Sequence, residues 1–160
     1  MGGEGSFTVA GIIFTGILTT ALAVVCGWIA IVDFRERRIP DLASLPLIAA
    51  GLGLTGLVTG VALADRLIGS GAGFLLLWAL GEAYFRVSGQ EALGIGDAKL
   101  FAAAGAWLGW AALPGVLLSA ALMGLAFATL RPGPRQDGLA FGPWLAAGLL
   151  VGWLKLILPL

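Results

Sequence analysis

The sequence predicts an all-α fold, a polytopic membrane helix bundle of about six transmembrane helices. Three observations carry this. The chain is 59% hydrophobic and only 11% charged, where soluble domains carry about 25% charged residues, and its mean hydropathy is +1.02. Long stretches contain no charge at all. The positive charges fall in groups at the ends of those stretches. The 160 residues suit a single membrane-embedded domain, 1–160, with no soluble domain.

The spans follow in chain order. A polar, Gly-rich leader, Met1 to Ser6, runs into the stretch Gly5 to Val32, which is free of charge. A span needs roughly 20 apolar residues, so this run holds one helix. It has no basic flank before it and is too long for a signal-peptide core, so it is expected to be retained. Leu42 to Ala64 is the second uncharged run, and Leu67 to Phe85 the third, interrupted only by Glu82. Leu100 to Leu130 is uncharged for 31 residues, about 46 Å as one straight helix and too long for a core of roughly 30 Å. A turn at Pro114-Gly115 divides it into a fourth span near Asp97 to Ala112 and a fifth near Gly115 to Leu130. Arg131 to Gly138 is a polar turn, and Leu139 to Leu158 is the sixth span, with Lys155 placed to snorkel.

With six spans, Arg35, Arg37, Arg38, Arg86, Lys99, Arg131 and Arg135 share one face, while Arg66 and Lys155 occupy the other. This bias sets the first group in the cytoplasm and both termini outside. Glycine pairs such as Gly56/Gly60, Gly105/Gly109 and Gly148/Gly152 allow helices to approach closely, which predicts a compact bundle. Trp78, Trp107, Trp110, Trp144 and Trp153 are explained by interfacial anchoring and packing.

Several chemistries are excluded. Nine basic and nine acidic residues leave no net charge, so no basic field exists for nucleic acid. The chain has no histidine, which removes Ser/His and Cys/His nucleophile pairs and a HExxH zinc site. Cys26, the single cysteine, cannot make an internal disulfide or a CxxC knuckle and reads as a buried packing residue. Chemistry must come from carboxylates, hydroxyls, Lys, Arg or a borrowed cofactor.

Acids at the ends of spans therefore need explaining. The predicted cytoplasmic face carries Asp33, Glu36, Asp41, Glu82, Glu91, Asp97 and Asp137; Asp65 and Glu4 read as solvated loop charges on the other face. Asp33 ends the first span. Alone it is a boundary charge, paired with Arg37. Asp97 follows Gly94-Ile95-Gly96, and alone it is a helix N-terminal cap. Together they lie at one membrane face, each at a helix end, with glycines that leave the backbone open to an extended chain. Two carboxylates about 4 Å apart at an effective dielectric near 20 repel by about 4 kcal/mol, enough for the pair to hold one proton near neutral pH. One member then accepts a proton from water, while the other polarises a carbonyl and donates to the leaving amine. Asp41, after Ile39-Pro40, is the rival first aspartate, although an N-cap is its simpler role. Residue chemistry alone does not choose between Asp33 and Asp41. Glu82 is expected to be interfacial or hydrogen-bonded, and Asp137 a turn residue.

These residues make the chain resemble the type IV prepilin peptidases, membrane aspartic proteases of the GxGD type. Asp33-Phe-Arg-Glu-Arg-Arg-Ile-Pro-Asp41 matches that family's Asp, six-residue spacer and Pro-Asp. Glu91-Ala-Leu-Gly-Ile-Gly-Asp-Ala-Lys-Leu100 matches its GxGD segment, and Phe141-Gly142-Pro143 its Phe-Gly-Pro segment. The resemblance runs from about residue 20 to 155 and implies an Asp33/Asp97 catalytic dyad framed by Gly94 and Gly96. It implies structural or substrate-adjacent roles for Pro40, Asp41, Lys99, Phe141, Gly142 and Pro143. The implied reaction removes the leader from type IV prepilins or pseudopilins, after a Gly at the cytoplasmic boundary of the inner membrane. Many bacterial members add a domain with paired CxxC zinc motifs that methylates the new N-terminus. The single cysteine makes this chain resemble the short, cleavage-only form, found with tight-adherence pili or archaeal preflagellins, so no methyl transfer, zinc or S-adenosylmethionine is expected. Three alternatives compete. A presenilin-like protease would show Tyr-Asp and Pro-Ala-Leu segments, and the one tyrosine, Tyr84, precedes Phe85. A proton-coupled transporter subunit would carry acids at mid-span. An inactive membrane scaffold would look the same in sequence.

Overall fold

A computed structural model describes residues 9–89, 93–130 and 140–158. Glu4, Glu91, Asp137, the Arg131 to Gly138 turn and Leu139 lie outside the described residues. The described chain is an all-α bundle with no strand. Its helices are α1 (Val9–Glu36), α2 (Asp41–Leu54), α3 (Gly56–Thr59), α4 (Leu63–Ser88), α5 (Ile95–Leu108), α6 (Leu113–Leu130) and α7 (Gly142–Ile157). By length and composition, three helical stretches can cross a membrane: Val9–Glu36, Leu63–Ser88 and Trp110–Leu130. Asp41–Leu54 and Gly142–Ile157 are apolar but shorter. At 1.5 Å per residue, the 14 residues of α5 reach only about 21 Å.

That short helix is the centre of the molecule. From Leu100 to Leu108 every residue of α5 is buried, and it packs against α4, α2, α7 and α6. Such a position requires small faces, since neighbouring helices surround it. On α4, Gly69, Gly73 and Gly81 turn their bare backbone toward α5 and the chain just before it. A Cβ at Gly69 would stand 2.9 Å from the Gly105 carbonyl oxygen, and one at Gly73 3.0 Å from that of Phe101. Of the glycines picked from sequence, Gly105 and Gly148 meet neighbouring backbone in this way, while Gly56 and Gly152 make room for the side chains of Arg66 and Leu108.

Tryptophan indoles tie the remaining helices to this axis. Trp107 donates from Nε1 to the Leu47 carbonyl of α2 at 2.8 Å and meets Trp153 of α7 edge-on, ring centres 5.2 Å apart. Trp153 in turn donates to the Thr19 hydroxyl of α1 at 2.9 Å. These two indoles are core residues, whereas Trp78 and Trp110 are half exposed. Cys26 is buried among apolar neighbours.

Two boundaries differ from the sequence expectation. The second uncharged run is not one helix. It stops at Leu54 and passes through α3 and Gly60 before α4 begins. The cause is Arg66, expected on an outer loop but buried. Its guanidinium donates to the carbonyls of Gly51 and Leu52 at 3.1 and 2.8 Å and to the Thr55 hydroxyl at 3.2 Å. It thus satisfies the last carbonyls of α2, which have no partner within the helix. Gly56 makes room, because a Cβ there would meet the guanidinium. The break between the fourth and fifth spans lies at Gly109, not Pro114-Gly115. Gly109 has φ 80° and ψ 168°, a region essentially reserved for glycine. Trp110–Ala112 forms a 3-10 turn, and Pro114 enters the first turn of α6, where its missing N–H is harmless.

Candidate active site

Asp33 lies in the last turn of α1 and is 6% exposed. After it the chain reverses through Arg37, whose φ of 51° is the left-handed conformation usually left to glycine. The Arg37 amide donates to the Asp33 carbonyl at 3.0 Å, closing the helix. The reversal drives Ile39 inward as a wedge. Pro40, in extended conformation, then starts α2 at Asp41.

Ile39 explains one of the two motif glycines. A Cβ at Gly96 would lie 2.9 Å from the Ile39 Cβ, so this contact needs glycine. Gly94 differs. It is exposed, and a Cβ there would find Asp97 Oδ2 at an ordinary 3.7 Å. Its task is to cap α5, its amide donating to Asp97 Oδ2 at 3.0 Å. Asp97, 9% exposed, thus has one oxygen held by backbone. Its other oxygen, Oδ1, is buried without a hydrogen-bond partner.

Asp33 is held in the same way by a third segment. The Gly142 amide, at the first turn of α7, donates to Asp33 Oδ2 at 3.1 Å. A Cβ at Gly142 would stand 2.7 Å from that oxygen and 2.9 Å from Ile39 Cδ1. Phe141 caps α7, its carbonyl accepting from the Trp144 and Leu145 amides, and Pro143 occupies the first turn. The amide of Gly142 and the wedge of Ile39 are functional features that sequence reasoning missed. The available signal for Ile39 was one apolar residue among the charges of Arg35 to Asp41.

Asp33 and Asp97 both line one cleft of about 660 Å³, with the Val32 to Asp41 reversal on one side and Gly94 to Lys99 on the other. Asp41 lines the same cleft but is exposed, and it is taken up in an ion pair with Lys99 that joins the start of α2 to α5. Glu82 accepts a hydrogen bond from Arg86 in an ion pair at 2.9 Å. The cleft therefore brings together two buried acids, each with one oxygen fixed by a glycine amide, and leaves the other oxygen of Asp97 without a hydrogen bond. That is the equipment for moving protons to and from a reacting group. Among the described residues no group of three His, Cys, Asp or Glu side chains gathers to hold a metal.

Residues 20–129 match the type IV leader peptidase family. The chain belongs to that family. With three apolar helices of crossing length, membership makes it an inner-membrane protein. Among named relatives, the prepilin leader peptidase/N-methyltransferase of Dickeya chrysanthemi is 42% identical over 155 residues, covering 92% of this chain and 55% of the relative. That of Pectobacterium carotovorum subsp. carotovorum is 44% identical over 128 residues, 78% of this chain and 46% of the relative. That of Escherichia coli K12 is 38% identical over 144 residues, 86% and 64%. The chain thus spans about half the length of the first two relatives. No solved structure matches it.

Proposed function

We propose that this chain is an aspartic endopeptidase that removes the leader peptide from type IV prepilins or pseudopilins. The observation that carries the reading is the pairing of Asp33 and Asp97 in one cleft, each anchored through one oxygen to a glycine amide. Fixed backbone donors orient both acids before substrate arrives, which removes reorganisation from the chemical step. One aspartate takes a proton from a water molecule as its oxygen attacks the scissile carbonyl. The other donates first to the developing oxyanion and, as the carbon–nitrogen bond breaks, a proton passes to the leaving amine. The exposed backbone at Gly94 gives an extended peptide a surface beside Asp97. Lys99, Asp41 and Pro40 keep α2 and α5 in register around the cleft, and Phe141, Gly142 and Pro143 present the amide that holds Asp33. Only the peptidase half of the relatives' names is carried over, because the matching motifs are those around the two acids.

The reaction belongs at the cytoplasmic face of the inner membrane, with both termini outside. The bias of seven basic residues against Arg66 and Lys155 supports this orientation, and the substrate's own apolar helix would enter through the bilayer.

The test is cleavage. Wild type, Asp33→Asn, Asp97→Asn and Asp41→Asn are each co-expressed with a panel of type IV prepilins, and leader loss is followed by gel shift. Asp33→Asn and Asp97→Asn are expected to lower cleavage by at least about a hundredfold, the contribution of a positioned acid or base, while Asp41→Asn still cleaves. Cleavage by Asp33→Asn with loss in Asp41→Asn would move the first aspartate. A folded wild type that cleaves no prepilin in the panel would favour the scaffold reading.

A further inference from the structure

The end of the bundle remote from the two aspartates carries a second cavity. It has a volume of about 330 Å³ and lies between α6 and the second half of α7. Its walls are small or apolar, with Ala111, Ala112 and Gly115 on one side and Val151 and Leu156 on the other. A Cβ at Gly115 would meet nothing within 4 Å, so the space there is open. Elsewhere in the same wall the fit is tight, a Cβ at Gly148 meeting the Val116 carbonyl at 2.8 Å and one at Gly152 meeting Leu108 Cδ1 at 2.6 Å.

One charged residue borders it, Lys155, exposed in the last turn of α7. No acid among the described residues pairs with Lys155. Asp65, the described acid of that end, accepts from Trp110 Nε1 at 3.1 Å. The other cation there, Arg66, is committed to the carbonyls of α2. Ser119 turns its hydroxyl back to the Val116 carbonyl at 2.9 Å, leaving the slot without a free polar group along its length. A slot of this volume lies at the small end of ligand cavities. An apolar slot with one cation at its rim, unpaired by any acid among the described residues, is the complement of a molecule with an apolar tail and an anionic head.

We propose that the α6–α7 slot binds one anionic phospholipid, with an acyl chain lying over Gly115 and the phosphate on the Lys155 ammonium. The purified full chain in mild detergent is titrated with dioleoyl phosphatidylglycerol and with dioleoyl phosphatidylcholine, and retained lipid is counted by native mass spectrometry. Wild type is expected to retain the anionic lipid about fivefold more than the neutral one, the attraction that one lysine supplies. Lys155→Gln is expected to bring the ratio near one, and Lys155→Arg to keep it. Gly115→Leu, which fills the slot, is expected to lower retention of both lipids, and a melting curve confirms that each variant folds. If Gly115→Leu does not fold, the two Lys155 variants decide. No preference in wild type, or an undiminished preference in Lys155→Gln, would overturn the site. So would a dimer in the native spectrum that Gly115→Leu dissociates, since a second copy would then fill the slot.

Discussion

At the scale of single residues, the two glycines of the Gly94-Ile95-Gly96-Asp97 segment do different work, although they look equivalent in sequence. Gly96 is needed for packing, since its missing Cβ is what lets Ile39 reach the base of the cleft. Gly94 caps α5 through its amide and is exposed, with only ordinary contacts around an added Cβ. Gly96→Ala should therefore cost roughly 1–3 kcal/mol of stability, the usual range for forced overpacking. Gly94→Ala should leave stability within about 0.5 kcal/mol of wild type. Unfolding of the two variants in detergent reads this difference directly, and equal losses would remove the distinction. The same logic reaches Asp33. Its anchor, the Gly142 amide, comes from a residue 109 positions away in the chain, so the first aspartate is set only when α7 has docked on α1.

At the scale of elements, the bundle depends on how closely α4 approaches α5. Gly69 and Gly71 are two residues apart on α4 and face opposite ways. A Cβ at Gly69 would press on the backbone of Gly105 and Trp110, whereas one at Gly71 would meet nothing within 4 Å. Backbone cannot step aside as a flexible side chain can, so Gly69→Ala should lower the melting temperature clearly. Gly71→Ala should hold it or raise it, because alanine in a helix is favoured over glycine by about 0.5–1 kcal/mol. Thermal melts of the pair test the packing, and a destabilised Gly71→Ala would place that face against something other than lipid. The contrast also marks what the sequence could reveal. Uncharged runs expose α1, α4 and α6, because membrane-crossing length is written in local composition. Asp33 and Asp97 stand out because charge at a span end is locally expensive. The break at Gly109, the burial of Arg66 and the Gly69 contact are different, since each is decided by a partner distant in the chain. Arg66 looks like a loop charge until the carbonyls of Gly51 and Leu52 are seen beside it. Pro114 looks like a turn until Gly109 has already made one.

At the scale of the whole molecule, charge should decide which end of the bundle faces the cytoplasm, and the proposed reaction depends on that end. Leu57 lies in α3, before α4, and Val87 in the last turn of α4, at the opposite end of that helix. They are 76% and 90% exposed, so a cysteine at either position disturbs little packing. The native Cys26 is 1% exposed and adds almost no background to thiol labelling. Leu57→Cys should react with a membrane-impermeant maleimide in intact spheroplasts, because Arg66 marks the sparsely charged end. Val87→Cys should react only after permeabilisation, because Arg86 belongs to the basic end together with Arg35, Arg37, Arg38 and Lys99. The aspartates lie at the same end as Val87, since Asp33 closes α1 beside Arg35 and Asp97 opens α5 just after α4 has ended. The reverse labelling pattern would put both acids outside. Cleavage at the cytoplasmic boundary would then be impossible for this chain, whatever the chemistry of the pair.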